Sequence, residues 1–147
     1  MGSIDRIDWH SGGDFPENLP EVNGGTHIGM YLTWIIQNDL IGQLHLEDST
    51  EAIQKVKSRQ MTGRDFLIDF CDEKFSDEDL NEEGIKFTDF YYQTDSNEKF
   101  KNYMDNYCDV IGEEVDSIYE VEDNWENYDK LKPLIDKRYA EWKKSGQ

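Results

Sequence analysis

The sequence predicts a mainly α-helical single domain, a compact multi-helix body around one buried central helix, with room for one short two-stranded β pairing. Three observations lead there. Residues 27–40, HIGMYLTWIIQNDL, are apolar on nearly all sides, the pattern of a helix enclosed by others. Phe100, Tyr103, Met104, Tyr107, Cys108 and Ile111 recur at helical spacing and form the clearest amphipathic stripe in the chain. The 147 residues contain no internal repeat, low-complexity run or linker, so one domain over 1–147 is expected, burying roughly two-thirds of the surface its unfolded chain exposes.

Taken in order, the stretch 8–34, DWHSGGDFPENLPEVNGGTHIGMYLTW, opens irregularly: glycines and prolines bend the chain while Trp9 and Phe15 turn inward. Thr26 is the expected cap of the central helix, and Gly29 inside it permits close packing. After a turn near Gly42, STEAIQKVKSRQ places Ala52, Ile53 and Val56 on one side, with Lys55, Lys57 and Arg59 spread around the rest, making this the one locally basic helix. Thr62 then starts TGRDFLIDFCDEKF, whose Phe66, Leu67, Phe70 and Cys71 have the spacing of a buried stripe.

Ser76 with Asp79 resembles a capping box, starting a helix with Leu80, Gly84, Phe87 and Tyr91 on one face and Tyr92 about 100° around, toward the surface. Asn97 is the expected cap of the amphipathic stripe helix, which Gly112 closes. SIYEV (117–121) reads as a short strand, and only SIDRID (3–8) offers it a partner. Asp123 and Glu126 form a last cap, Pro133 divides the final helical stretch, and Leu134, Arg138, Tyr139 and Trp142 line its last helix.

Hydrophobic residues make up only 36% of the chain while aromatics reach 13%, so a core of a few large rings is expected. No apolar run approaches the roughly 18 residues of a membrane span, and the first ten residues lack the apolar centre of a signal peptide, which makes the cytoplasm the expected compartment and a membrane partner unexpected. Cys71 and Cys108 fall on apolar stripes and read as buried thiols rather than a disulfide.

The net charge is -18, and its distribution is uneven. From Asp69 to Asp129, 21 acids stand against four lysines, a balance of -17, while the rest of the chain is nearly neutral. Such a surface repels nucleic-acid phosphates and steers a basic partner. The expected contact residues are Tyr92, Tyr119, Glu120, Glu122, Asp123 and Trp125, acids interleaved with aromatic anchors. The weaker alternative places a pocket at Asp8, His10, Asp14 and His27, with His27 neutral at the first turn of the central helix.

Recognised chemical motifs fail on inspection. Asp77, Asp79 and Asn81 fit the first, third and fifth places of a calcium loop, but Glu82 stands where glycine is required and Thr88 where a bidentate glutamate is required. His10, His27 and His45 match no metal-ligand spacing. Ser11 in HSGG lacks a nucleophile elbow, and GGTHIG lacks the spacing of a phosphate-binding loop. No catalytic, cofactor or metal residue is assigned from sequence, and no cofactor is expected.

The blocks DWHSGGDFP, THIGMYLTW, MTGRDFL, CDEKF, DLNEEG, YY and NWENYDKLKPLIDKRYAEW, in this order, resemble a family of small uncharacterised bacterial proteins, a domain of unknown function. The resemblance spans residues 4–143 and implies no activity. Small acidic proteins of similar size are often immunity or antitoxin partners in bacterial toxin systems, an analogy of size and charge and not a motif match. The leading expectation is therefore a cytoplasmic acidic binding protein that neutralises a basic partner by covering its surface. The alternatives are a small metal-dependent hydrolase or small-molecule binder at the Asp8–His27 loop, and a nucleic-acid mimic.

Overall fold

A computed structural model describes residues 3–7, 21–71, 73–92, 102–111 and 121–144. Its elements are β1 (Ser3–Arg6), α1 (Thr26–Gln37), α2 (Gln43–Asp48), α3 (Thr50–Lys57), α4 (Gly63–Phe70), β2 (Lys74–Ser76), α5 (Glu82–Tyr91), α6 (Tyr103–Val110) and α7 (Trp125–Lys144). Short 3-10 turns at Glu21–Gly25 and Asp77–Asp79 lead into α1 and precede α5. No described helix is long and apolar enough to cross a membrane.

The central helix is as the sequence predicts: every residue of α1 from Thr26 to Ile36 is buried. Its cap differs, because Gly25 occupies the capping position and the Thr26 hydroxyl instead accepts from Arg64 Nη1 at 3.1 Å. Helix α4 packs directly on α1 through two glycines. The Thr33 hydroxyl, 2.8 Å from the Gly29 carbonyl oxygen, also accepts from the Gly63 N–H at 2.9 Å, so backbone approaches backbone with one hydroxyl between them.

Around α1 the core is aromatic. Tyr31 has Tyr92 and Tyr103 at 4.9 Å between ring centroids and Phe75 at 5.9 Å, while Trp34 contacts Tyr139 at 5.2 Å and Phe87 at 5.4 Å. Each polar tip in this cluster needs a partner, since an unpaired buried group costs about 1–3 kcal/mol. Tyr31 meets Thr88 Oγ1 at 2.9 Å, Tyr91 accepts from Asn106 Nδ2 at 2.7 Å, and Trp34 Nε1 donates to Asp136 at 2.8 Å. Burial pushes the phenols of Tyr31, Tyr92, Tyr103 and Tyr107 above their ordinary value of 10.0, and that of Tyr91 up to about 12.

The sign of that shift fixes an alkaline response. Below pH 10 folded and unfolded chains both keep these protons; above it the unfolded chain releases them and the folded chain does not, so stability falls as pH rises. Tyrosinate absorbance is expected to grow in the same cooperative step that removes the helical circular dichroism, and a non-cooperative rise preceding loss of helix would contradict it.

Several expectations are corrected. The strand at the chain start pairs antiparallel with β2, in register Asp5↔Phe75 and Arg6↔Lys74, a partner the sequence pattern did not offer; of the expected partner 117–121, all but Val121 lies outside the described residues. Helix α4 stops at Phe70 because the chain turns there into β2, leaving Phe70 43% exposed rather than buried. The capping box at Ser76 and Asp79 is present but serves a single 3-10 turn, and Asn81 caps α5 by accepting from the Gly84 N–H. Asn102 caps α6; the expected cap Asn97 lies outside the described residues. Helix α7 continues through Pro133, which sits on its exposed side, and its buried face is Tyr128, Leu131, Ile135 and Trp142.

A left-handed residue ends α3: Arg59 has φ 66° where glycine is usual, and its guanidinium is held by Asp129 at 2.7 and 3.0 Å while lying over the Trp125 ring at 4.8 Å. Cys71 and Cys108 are free and half-buried.

Candidate functional site

Of the residues named for the pocket, only His27 is described; Asp8, His10 and Asp14 lie outside the described residues. His27 is 1% exposed, with Nε2 3.0 Å from Asp5 Oδ2. With the Asp5 carboxylate ionised, Nε2 carries the proton and donates. The same oxygen accepts from the Tyr92 hydroxyl at 2.6 Å, and Asp5 Oδ1 accepts from the Arg6 N–H at 2.9 Å. One buried carboxylate thus ties β1 to α1 and to the end of α5.

This arrangement corrects the expectation for Tyr92. At 9% exposure it is no surface anchor: the backbone stays helical at Tyr92, which turns the ring under β1 against Phe75, Tyr31 and Tyr103. Of the remaining contact candidates, Tyr119 and Glu120 lie outside the described residues. Glu122 is exposed and accepts from Asn124 Nδ2 at 3.2 Å.

Asp123 is turned inward, contrary to its expected capping and contact roles. It accepts from Thr62 Oγ1 at 2.7 Å and lies 3.4 Å from Arg64 Nε, while burial holds its carboxyl above the ordinary range. Asn124 does the capping, accepting from the Asn127 N–H at 2.8 Å. Trp125 is half-buried against Tyr128 and covered by the chain's own Arg59.

A constellation that sequence reasoning missed lies between α2, α4 and the turn after β2. His45 projects from α2, Cys71 caps the end of α4, and Asp79 closes the 3-10 turn. Backbone bonds fix the frame: Gly42, which precedes α2, donates its N–H to the Asp79 carbonyl at 2.8 Å, and Ile41 bridges to Leu80. His45 Nε2 is 2.7 Å from Asp79 Oδ1 and 3.7 Å from Cys71 Sγ, and the three donor atoms all lie within 4.8 Å of one another. Asp79 Oδ2 is held by the Ser76 N–H at 2.9 Å, and Phe66 packs edge-on against the imidazole at 5.1 Å.

The trio is not arranged as a nucleophilic relay. A cysteine–histidine–acid relay needs one imidazole nitrogen on the thiol and the other on the carboxylate. Here Nε2 faces both partners. Burial, reinforced by Asp79, also pushes the Cys71 thiol up, away from the thiolate a nucleophile requires.

Around this trio are the large apolar side chains that the described surface exposes: Leu44 at 49%, Leu46 at 48% and Phe70 at 43%. Leu44 and Leu46 flank buried His45 on α2. Phe70 forms one wall of a cleft of about 200 Å³ with Asp48, Ser49, Glu51, Ala52, Lys55 and Met61.

A family model described as a domain of unknown function, DUF7832, matches residues 3–121. The chain belongs to this family. The match takes in β1 through α6 and stops short of α7, so the C-terminal block of the sequence resemblance lies beyond it. No curated protein and no solved structure matches the chain.

Proposed function

We propose that the protein is a cytoplasmic acidic binding domain that captures a basic protein, in the manner of an immunity protein covering a toxin surface. The observation that carries this reading is the surplus of carboxylate over cation. Lys55, Lys57, Arg59, Arg64, Lys86, Lys132, Arg138 and Lys143 each pair with an acid of the same chain, so much of the described positive charge is matched internally. The expected basic helix α3 offers no free basic face at these positions, with Lys55 on Glu51, Lys57 on Asp39 and Arg59 on Asp129. Against that stand exposed acids at Asp69, Glu73 and Glu78 before α5, at Asp105 on α6 and at Glu126 on α7.

The anchor moves from Tyr92 to the cleft beside Phe70. An apolar wall flanked by Asp48 suits a lysine or arginine, whose stem lies against the ring while its head meets that acid and competes with Lys55 for Glu51. Affinity purification from the source cell is expected to recover a basic protein at low salt and lose it at high salt. Phe70→Ser is expected to weaken capture about tenfold or more, the range of a central anchor, while the helical circular dichroism is retained. No partner at low salt, or a partner held equally well by Phe70→Ser and in high salt, would sink this reading.

A further inference from the structure

We propose that His45, Cys71 and Asp79 form a binding site for a divalent transition-metal ion of the zinc class. This site lies beside the docking cleft proposed above but shares none of its lining residues, and no sequence motif joins its three ligands.

Donor chemistry comes first. One imidazole nitrogen, one thiol sulfur and one carboxylate oxygen form the mixed set that suits zinc, whereas calcium and magnesium take oxygen alone. Geometry agrees. Around a tetrahedral zinc with bonds of about 2.0–2.3 Å, neighbouring donor atoms stand about 3.4–3.6 Å apart. The His45–Cys71 separation of 3.7 Å is already close to that, and the His45–Asp79 separation of 2.7 Å is a direct hydrogen bond that must open by about 0.6 Å. Cys71 caps a helix end on a half-buried position, so it has room to adjust.

The convergence of Nε2, Sγ and Oδ1 within 4.8 Å of one another is the informative feature. Without metal, the proton on Nε2 and the thiol's own proton satisfy the three atoms by hydrogen bonds; with the thiol proton released and the imidazole proton on Nδ1, the same atoms offer electron pairs to one cation. The carboxylate is already oriented from behind by the Ser76 N–H on Oδ2, the outer support that metal-ligating carboxylates receive. His45 and Asp79 are 3% and 6% exposed, so their competition with water is slight. Three protein ligands are the number at zinc centres whose fourth position is taken by water.

Binding requires the Cys71 thiol to give up its proton and His45 to carry its own on Nδ1. Apparent affinity should therefore rise with pH as thiol deprotonation becomes easier.

The test uses the full chain, washed with a chelator and titrated with cobalt(II), then zinc. Wild type is expected to take up a single equivalent of cobalt, show a thiolate-to-cobalt charge-transfer band, lose it when zinc displaces cobalt, and melt at higher temperature with zinc. Cys71→Ser, a near-isosteric change at a half-buried site, should abolish the band, whereas Cys108→Ser should keep it. Loss of an outer-shell support typically weakens metal binding 10–100-fold, so His45→Gln should weaken zinc binding at least about tenfold. No band in wild type, a band surviving in Cys71→Ser, or zinc bound equally by wild type and both ligand variants, as a diffuse acidic surface would bind it, each overturns the proposal.

Discussion

Gly63→Ala is expected to abolish cooperative folding or to lower stability by about 3 kcal/mol or more, beyond the usual overpacking range. A methyl group at that position would lie 1.9 Å from the Gly29 carbonyl oxygen, 2.3 Å from Thr33 Oγ1 and 2.8 Å from the Thr33 nitrogen. Two of those atoms are helix backbone, and the third is a hydroxyl beside that backbone, so none can swing aside as a side-chain tip would. Relief requires α4 to separate from α1, the helix at the centre of the core. Restoring space by also changing Thr33→Ala should recover little, because the Gly29 carbonyl remains in place. Urea unfolding measures this directly; a midpoint shifted by only a few tenths of a molar would show that the two helices tolerate separation.

The second large effect concerns Asp5. Asp5→Ala removes the oxygen shared by His27 Nε2 and the Tyr92 hydroxyl, two groups enclosed in the aromatic core with little access to water. Breaking a buried hydrogen-bonded charge in this way costs about 3–5 kcal/mol. Tyr92→Phe removes one donor and leaves the carboxylate its other partners, so about 1–2 kcal/mol is expected. Asp5→Asn keeps an acceptor oxygen and should fall between the two. Chemical denaturation of the three variants gives the order; an Asp5→Ala loss no larger than that of Tyr92→Phe would show that solvent reaches the site and replaces the carboxylate.

What was legible in the sequence was set by periodicity. The enclosed helix at 27–36, the packing role of Gly29, the buried triplet Ala52, Ile53 and Val56, and the inward Tyr103, Tyr107 and Ile111 all follow from residues one turn apart, which local spacing reports. The failures are long-range. Tyr92 lies off the apolar stripe of its helix, and only the return of β1, 87 positions away, gives its hydroxyl a buried acceptor. Phe70 reads as core by spacing, yet the chain turns before a neighbour covers it. Pro133 would break an internal helix, but on the exposed side of α7 its missing N–H is tolerated. His45, Cys71 and Asp79 stand 26 and eight positions apart on three separate elements, so no short motif betrays them; backbone bonding of Gly42 to Asp79 brings them together.

Helix α7 covers one side of Trp34 and Phe87 with Tyr139 and Trp142, and Asp136 receives the Trp34 indole proton, yet the helix falls outside the stretch that defines the family. A chain with these same rings and no such helix has an uncovered aromatic wall and a stranded indole donor. It must shrink those rings, recruit a roof from elsewhere in its own polypeptide, or borrow one from another molecule, so the last twenty or so described residues are what let this chain close its own core.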